Sequence, residues 1–189
     1  MKSAPHKPWR SLCALLLSTG LLGACSSQLK PIPTVDYVDI PRFMGDWYVI
    51  GNIPTFIEKN AYNALENYQR NADGSIATTF TFNEGGFDGP LKRYTPTGFV
   101  HDTASNAEWG MQFIWPIKAE YKIVYLDPDY RQTLIGRTQR DYLWIMARDP
   151  QISEAEYQKL VQFAAGLGYD PAQIRKVPQQ PRGQTPAKE

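Results

Sequence analysis

Phe43-Met44-Gly45-Asp46-Trp47-Tyr48 is the stretch on which the reading of this chain turns. Pro41 marks the entry, Gly45 permits a tight turn, and Trp47, Tyr48, Val49 and Ile50 are strand formers. The stretch therefore reads as a turn that delivers an aromatic ring into the floor of a sheet. A Gly two residues ahead of a Trp is a weak signal alone. It gains weight from two later stretches, Leu126-Asp127-Pro128-Asp129-Tyr130-Arg131 and Asp141-Tyr142-Leu143-Trp144-Ile145-Met146-Ala147-Arg148.

Between and around these stretches lie eight strand candidates separated by turn signals: 46–51, 62–70, 75–83, 91–100, 106–115, 119–126, 131–138 and 142–148. Asn71-Ala72-Asp73-Gly74 is the clearest hairpin turn. Ser153-Glu154-Ala155-Glu156 then forms a capping box, and Tyr157, Leu160, Val161, Ala164 and Leu167 recur at helical spacing up to Gly168. A short last strand is expected near 173–177, with a tail rich in Pro and Gln beyond it. Eight antiparallel strands fit a sandwich or an up-and-down barrel, and strand count alone leaves both open.

In order and spacing, the three stretches resemble the signature regions of the lipocalins, with wording similar to bacterial outer-membrane lipoproteins of the Blc type and to the apolipoprotein D group. The resemblance covers about 42–177. It implies an all-β fold, an eight-stranded antiparallel up-and-down barrel with one C-terminal helix packed outside. In such a barrel the start of the first strand and the ends of the sixth and eighth share one end. Gly45, Trp47, Asp129, Tyr130 and Arg148 then gather there as structural residues, and the matching Arg and Trp of the family make a cation–π contact. The opposite end becomes the mouth, bounded by 52–61, 84–90, 116–118 and 139–140, with the first of these long enough to act as a lid.

The N-terminus carries Lys2, Lys7 and Arg10, an apolar run from Leu12 to Leu22, and then Gly23-Ala24-Cys25. An apolar run of this length is too short to span a bilayer, which takes about 20 residues. It reads as a secretory signal over 1–24. Leu22-Gly23-Ala24-Cys25 resembles the bacterial lipobox, which implies acylation of Cys25, and Ser26 after it implies transfer to the outer membrane. With Cys13 lost and Cys25 acylated, the domain has neither a disulfide nor a free thiol. Residues 25–35, with Pro31 and Pro33, are expected to be a lipidated tether reaching about 25–30 Å, followed by a barrel domain over 36–178 and a disordered tail over 179–189.

The 189 residues hold 20 basic and 19 acidic side chains. Without the three basic residues of the leader, 17 remain against 19, so no basic surplus recommends nucleic acid as a partner. The mature domain has one histidine, His101, and no Cys/His cluster with metal spacing. Neither a metal nor a cofactor is expected. An enzyme is not expected either: lipocalin enzymes of the prostaglandin-synthase kind use a barrel thiol, and haem-binding lipocalins use a His ligand.

The fifth strand sets Trp109, Met111, Phe113 and Trp115 on one face. A row of large, soft apolar groups suits an adaptable hydrocarbon site, and equally a core or a face for the helix or another subunit. Phe80, Tyr121 and Trp144 are further candidates for the cavity wall. The expected ligand, from the resemblance, is a fatty acid or lysophospholipid held for storage or transport in envelope maintenance. The expected location is the bacterial outer membrane, periplasm-facing through the lipid anchor, with a homodimer left open. A filled barrel that serves as an envelope interaction module is the alternative, and a lipid-modifying enzyme ranks below it.

Overall fold

The computed structural model describes residue 1 and residues 30–181. The leader and Cys25 lie outside the described residues. The sheet is built from β1 (Gly45–Ile53), β2 (Ala61–Arg70), β3 (Ile76–Glu84), β4 (Leu91–Tyr94), β5 (Thr97–Val100), β6 (Glu108–Ile114), β7 (Ile117–Leu126), β8 (Gln132–Gly136), β9 (Leu143–Ala147) and β10 (Arg175–Lys176). Neighbouring strands pair antiparallel around the sheet, β3 taking both β4 and β5, and β9 returns to β1 with Val49 opposite Met146. The sheet is thus closed, which removes its unpaired edges. The interval 91–100 is two strands, because Pro96 has no N–H for the ladder; its carbonyl instead accepts from Thr78 N at 3.1 Å. Counted as one stave, β4 and β5 make the barrel eight-stranded, while β10 adds to β1 from outside.

Two cores follow from the alternation of the strands. Val49, Phe80, Phe82, Met111, Ile123, Ile135 and Met146 point inward and pack with Trp47, Tyr68 and Trp109. Ile50, Ile53, Val124, Leu134, Leu143 and Ile145 point outward onto α2 (Glu154–Gly166), meeting Tyr157, Leu160, Val161 and Ala164. This is why β9 is apolar on both faces: Trp144 and Met146 face in, Leu143 and Ile145 face out. At the start of α2 the Ser153 hydroxyl accepts from Glu156 N at 3.2 Å and Glu156 accepts from Ser153 N at 2.9 Å. Gly168, past its end, has φ +93°.

Both chain ends hold the barrel more closely than their composition predicts. Residues 30–35 were expected as tether, yet Ile32 is buried against the helix-side core and Val35 N donates to Ile123 O at 3.0 Å. Two prolines fix an extended course, and Ile32 and Val35 give that course an apolar side to bury, so it straps the sheet. Free reach is correspondingly shorter than the 25–30 Å expected. At the other end, the expected disorder from 179 does not begin there. Gln179 Nε2 donates to Val49 O and Ala64 O, each at 2.9 Å, and Gln180 N donates to Asn63 Oδ1 at 2.9 Å. An amide side chain can satisfy strand carbonyls as backbone does, which composition does not reveal.

Candidate functional site: a closed floor and an open barrel

The floor is assembled around Trp47. The short helix α1 (Ile40–Phe43) crosses this end of the barrel, and Gly45 at φ +93° turns the chain from it into β1. Trp47 is fully buried, its indole N–H donating to Phe43 O at 2.8 Å. The Arg148 guanidinium lies 3.9 Å from the Trp47 ring centroid. Its N–H groups reach Asp46 O at 2.7 Å, Arg42 O at 2.8 Å, Phe43 O at 3.1 Å and Tyr130 O at 3.2 Å. One planar fork thereby ties α1, β1, the β7–β8 turn and the end of β9 together.

Tyr130 contributes from the β7–β8 turn, where its hydroxyl accepts from Asp39 N at 2.8 Å and its ring lies under Arg42 at 4.0 Å. Asp129 is exposed. The carboxylate that organises this turn is Asp127, which accepts from Arg131 N at 2.6 Å and Gln132 N at 2.5 Å. Sequence reading weighted Asp129 over it. The signal for Asp127 was its place at the head of an Asp-Pro-Asp turn, where a short carboxylate reaches the backbone a few residues on.

Above the floor, the barrel encloses a cavity of about 460 Å³. Phe80, Met111, Phe113, Tyr121 and Trp144 border it, joined by Tyr94, Ala119, Tyr142 and residues Thr55 to Glu58 of the β1–β2 loop. Trp109 and Trp115 do not. Trp109 sits lower, fully buried and stacked on Tyr121 with centroids 5.2 Å apart, its N–H held by Asn106 O at 2.7 Å. It belongs to the aromatic packing around Phe43 and Tyr68 that seals the floor. Trp115 is 82% exposed on the rim. The register against β7 shifts between Met111 and Ile114, so strict alternation fails at the end of β6. Ile114 consequently borders the cavity and Trp115 turns away, whereas alternation had assigned them the reverse.

The β1–β2 loop covers part of the mouth. Glu58 fastens it, accepting from Thr55 N at 2.9 Å and from the Trp144 indole N–H at 3.2 Å. Burial pushes the Glu58 carboxyl above the usual range, against the opposing effect of those bonds. Deeper, Glu66 is nearly buried, accepts from the Tyr68 hydroxyl, and is pushed up to about 7, chiefly by burial. Sequence reading did not single out either glutamate. In β2, Glu66 occupies an inward position between the buried Ala64 and Tyr68, and an acid at such a position was the available signal.

His101 is exposed near the floor end, against the outer side of Gly110 and away from the cavity lining. No group of three or more His, Cys, Asp or Glu is placed to hold a metal ion among the described residues. A second hollow of about 460 Å³ lies outside the barrel at the closed end, between Tyr37, Arg70, Asp73 and Phe99.

Residues 38–179 match the family model of the lipocalin-like domain. The chain is a lipocalin. Temperature-induced lipocalin-1 of Arabidopsis thaliana is 33% identical over 162 residues, which cover 81% of this chain and 86% of that one. Outer membrane lipoprotein Blc of Escherichia coli K12 is 28% identical over 163 residues, covering 84% and 90%. Among solved structures, insecticyanin from the tobacco hornworm Manduca sexta superposes with a TM-score of 0.60 at 11% identity, over 78% of this chain and 84% of that one. The cockroach allergen Per a 4 gives 0.59 at 18% identity, over 79% and 94%. The two solved structures share the barrel fold reported above.

Proposed function

We propose that this lipocalin binds an amphipathic lipid, a fatty acid or lysophospholipid, with the hydrocarbon in the barrel. The supporting observation is the largely apolar cavity bounded by Phe80, Met111, Tyr121 and Trp144 and open at one end. Each CH₂ transferred from water contributes about 0.8 kcal/mol, offset by ordering of chain and loop. An interaction module with a filled barrel, the alternative, would have no such hollow. Lipid extracted from protein purified without detergent would support the proposal; a barrel that yields none and takes up none would sink it.

The proposal includes anchoring through an acylated Cys25, in the outer membrane of a bacterial envelope and facing the periplasm, as part of lipid storage or transport. The strap gives this a direction. Arg140 Nη1, in the β8–β9 turn at the mouth, donates to Lys30 O at 2.7 Å, so the chain reaches its strap from the open end. Five residue steps separate Cys25 from Lys30, at most about 18 Å of extended chain. The rim there exposes Phe56, Ile114, Trp115 and Ile117. In this reading the mouth faces the bilayer that holds the anchor, and lipid passes without crossing open water.

Cys25→Ser should abolish stable partition into membranes, because three acyl chains exceed the two signals that stable anchoring takes. An unchanged intact mass and membrane fraction would refute the anchor. Phe113→Asp should weaken chain-bearing ligands by only a fewfold, since this side chain is 50% exposed and a carboxylate there keeps its water. A loss of about a hundredfold in titrations would place Phe113 deep in the occupied site instead.

A further inference from the structure

The hydrocarbon cavity ends on a polar group. Glu66 is 8% exposed, borders the cavity beside Thr78, Phe80 and Met111, and accepts a hydrogen bond from the Tyr68 hydroxyl on Oε2. Beneath it the Tyr68 and Tyr121 hydroxyls lie 2.6 Å apart. Among the described residues, no hydrogen bond reaches Glu66 Oε1. The other acids and bases on the lining are Glu58 on the covering loop, and Glu120 and Arg137 toward the rim, with the phenols of Tyr94 and Tyr142. Arg137 is already paired with Asp141 at 3.2 Å, and Glu120 with Lys122 at 3.5 Å. No cation faces Glu66 from β2, β3, β6, β7 or the loop.

That arrangement discriminates among ligand ends. A methyl terminus pressed on Glu66 excludes water from an oxygen that has no other partner. A carboxylate end meets like charge at Glu66 and again at Glu58. A protonated amine supplies both the missing donor and the missing counter-charge.

We propose that Glu66, backed by Tyr68 and Tyr121, is a subsite for the ammonium group of a long-chain amine that enters head first, making cationic amphiphiles preferred ligands of this barrel. The subsite rests on the lipid-cavity reading and replaces a fatty acid or lysophospholipid by a cationic amphiphile as the preferred ligand. Burial pushes the Glu66 carboxyl up to about 7, the Tyr68 bond opposing and the Glu58 charge adding. An ammonium beside it favours the carboxylate, and binding then releases a proton. Tyr68 and Tyr121 are held well above 10 and stay neutral throughout. An alkyl ammonium, with a pKa near that of lysine at about 10.4, stays charged over the same range.

The test is calorimetric titration of the full-length protein with dodecylamine, dodecanol and dodecanoate at about pH 5.5 and about pH 8. Dodecylamine should bind about tenfold or more tighter than dodecanol at the higher pH, and lose most of that advantage at the lower one. Glu66→Gln, whose amide oxygen can still accept from Tyr68, should bring amine and alcohol to within about twofold. Equal binding of amine and alcohol by the unmodified protein at the higher pH overturns the subsite, as does an undiminished amine preference in Glu66→Gln. Binding of none of the three overturns the lipid cavity as well, which separates the two failures.

Discussion

Arg148→Ala should lower the unfolding free energy by about 3 kcal/mol, one of the two largest effects expected of a single substitution in this chain. The guanidinium stacks on Trp47 and donates to four backbone carbonyls on α1, β1 and the β7–β8 turn, and alanine removes all of these contacts at once, leaving Phe43 O only its Trp47 indole donor. Arg148→Lys should recover less than half, because an ammonium on a single stem cannot serve four carbonyls in a planar fork. Urea denaturation followed by tryptophan fluorescence measures both. Lipid affinity of the folded variant should stay near that of the parent, since the cavity begins above the Trp109 and Tyr68 layer. Binding lost with the denaturation midpoint unchanged would contradict a structural role.

Glu66→Gln should act in the opposite direction. An acid held near 7 in the fold and at its ordinary 4.5 when unfolded keeps a proton that the unfolded chain gives up between those values. Stability from this group is fully present below about pH 4.5, falls as pH rises, and is gone above about 7. At about 1.4 kcal/mol per pH unit between the two values, the variant should exceed the parent by on the order of 3–4 kcal/mol at about pH 8 and match it at about pH 4. Glu58 is pushed the same way, so the variant's own pH dependence flattens without vanishing. Denaturation curves across that range check it; a variant less stable than the parent at the higher pH would mean that Glu66 stays ionised in the fold.

The fold was legible because its signals are local and mutually consistent. Gly45 and Trp47 announce the turn into β1, Asn71 to Gly74 the first hairpin, and Ser153 with Glu156 the helix start, and each stands where expected. The convergence of Trp47, Tyr130 and Arg148 followed from strand parity within the up-and-down barrel that the family resemblance implies. What escaped depends on contacts between distant segments. The bulge in β6 cannot be read from a stretch that alternates cleanly through Trp115. Ile32 and Gln179 lie in segments whose composition says linker, and only the barrel surface they cover reveals their role. Trp109 was placed one layer too high because alternation gives the face of a residue but not its depth along the barrel. Glu66 was passed over for a similar reason: its significance is the apolar lining it joins, drawn from β3, β6 and β7.

The most direct test is affinity as a function of chain length. Straight-chain ligands from eight to eighteen carbons, sharing one head group, should bind the detergent-free protein with affinity that climbs by up to about 0.8 kcal/mol per CH₂ and then levels once the cavity is full. Affinity indifferent to chain length would contradict a hydrocarbon site inside the barrel.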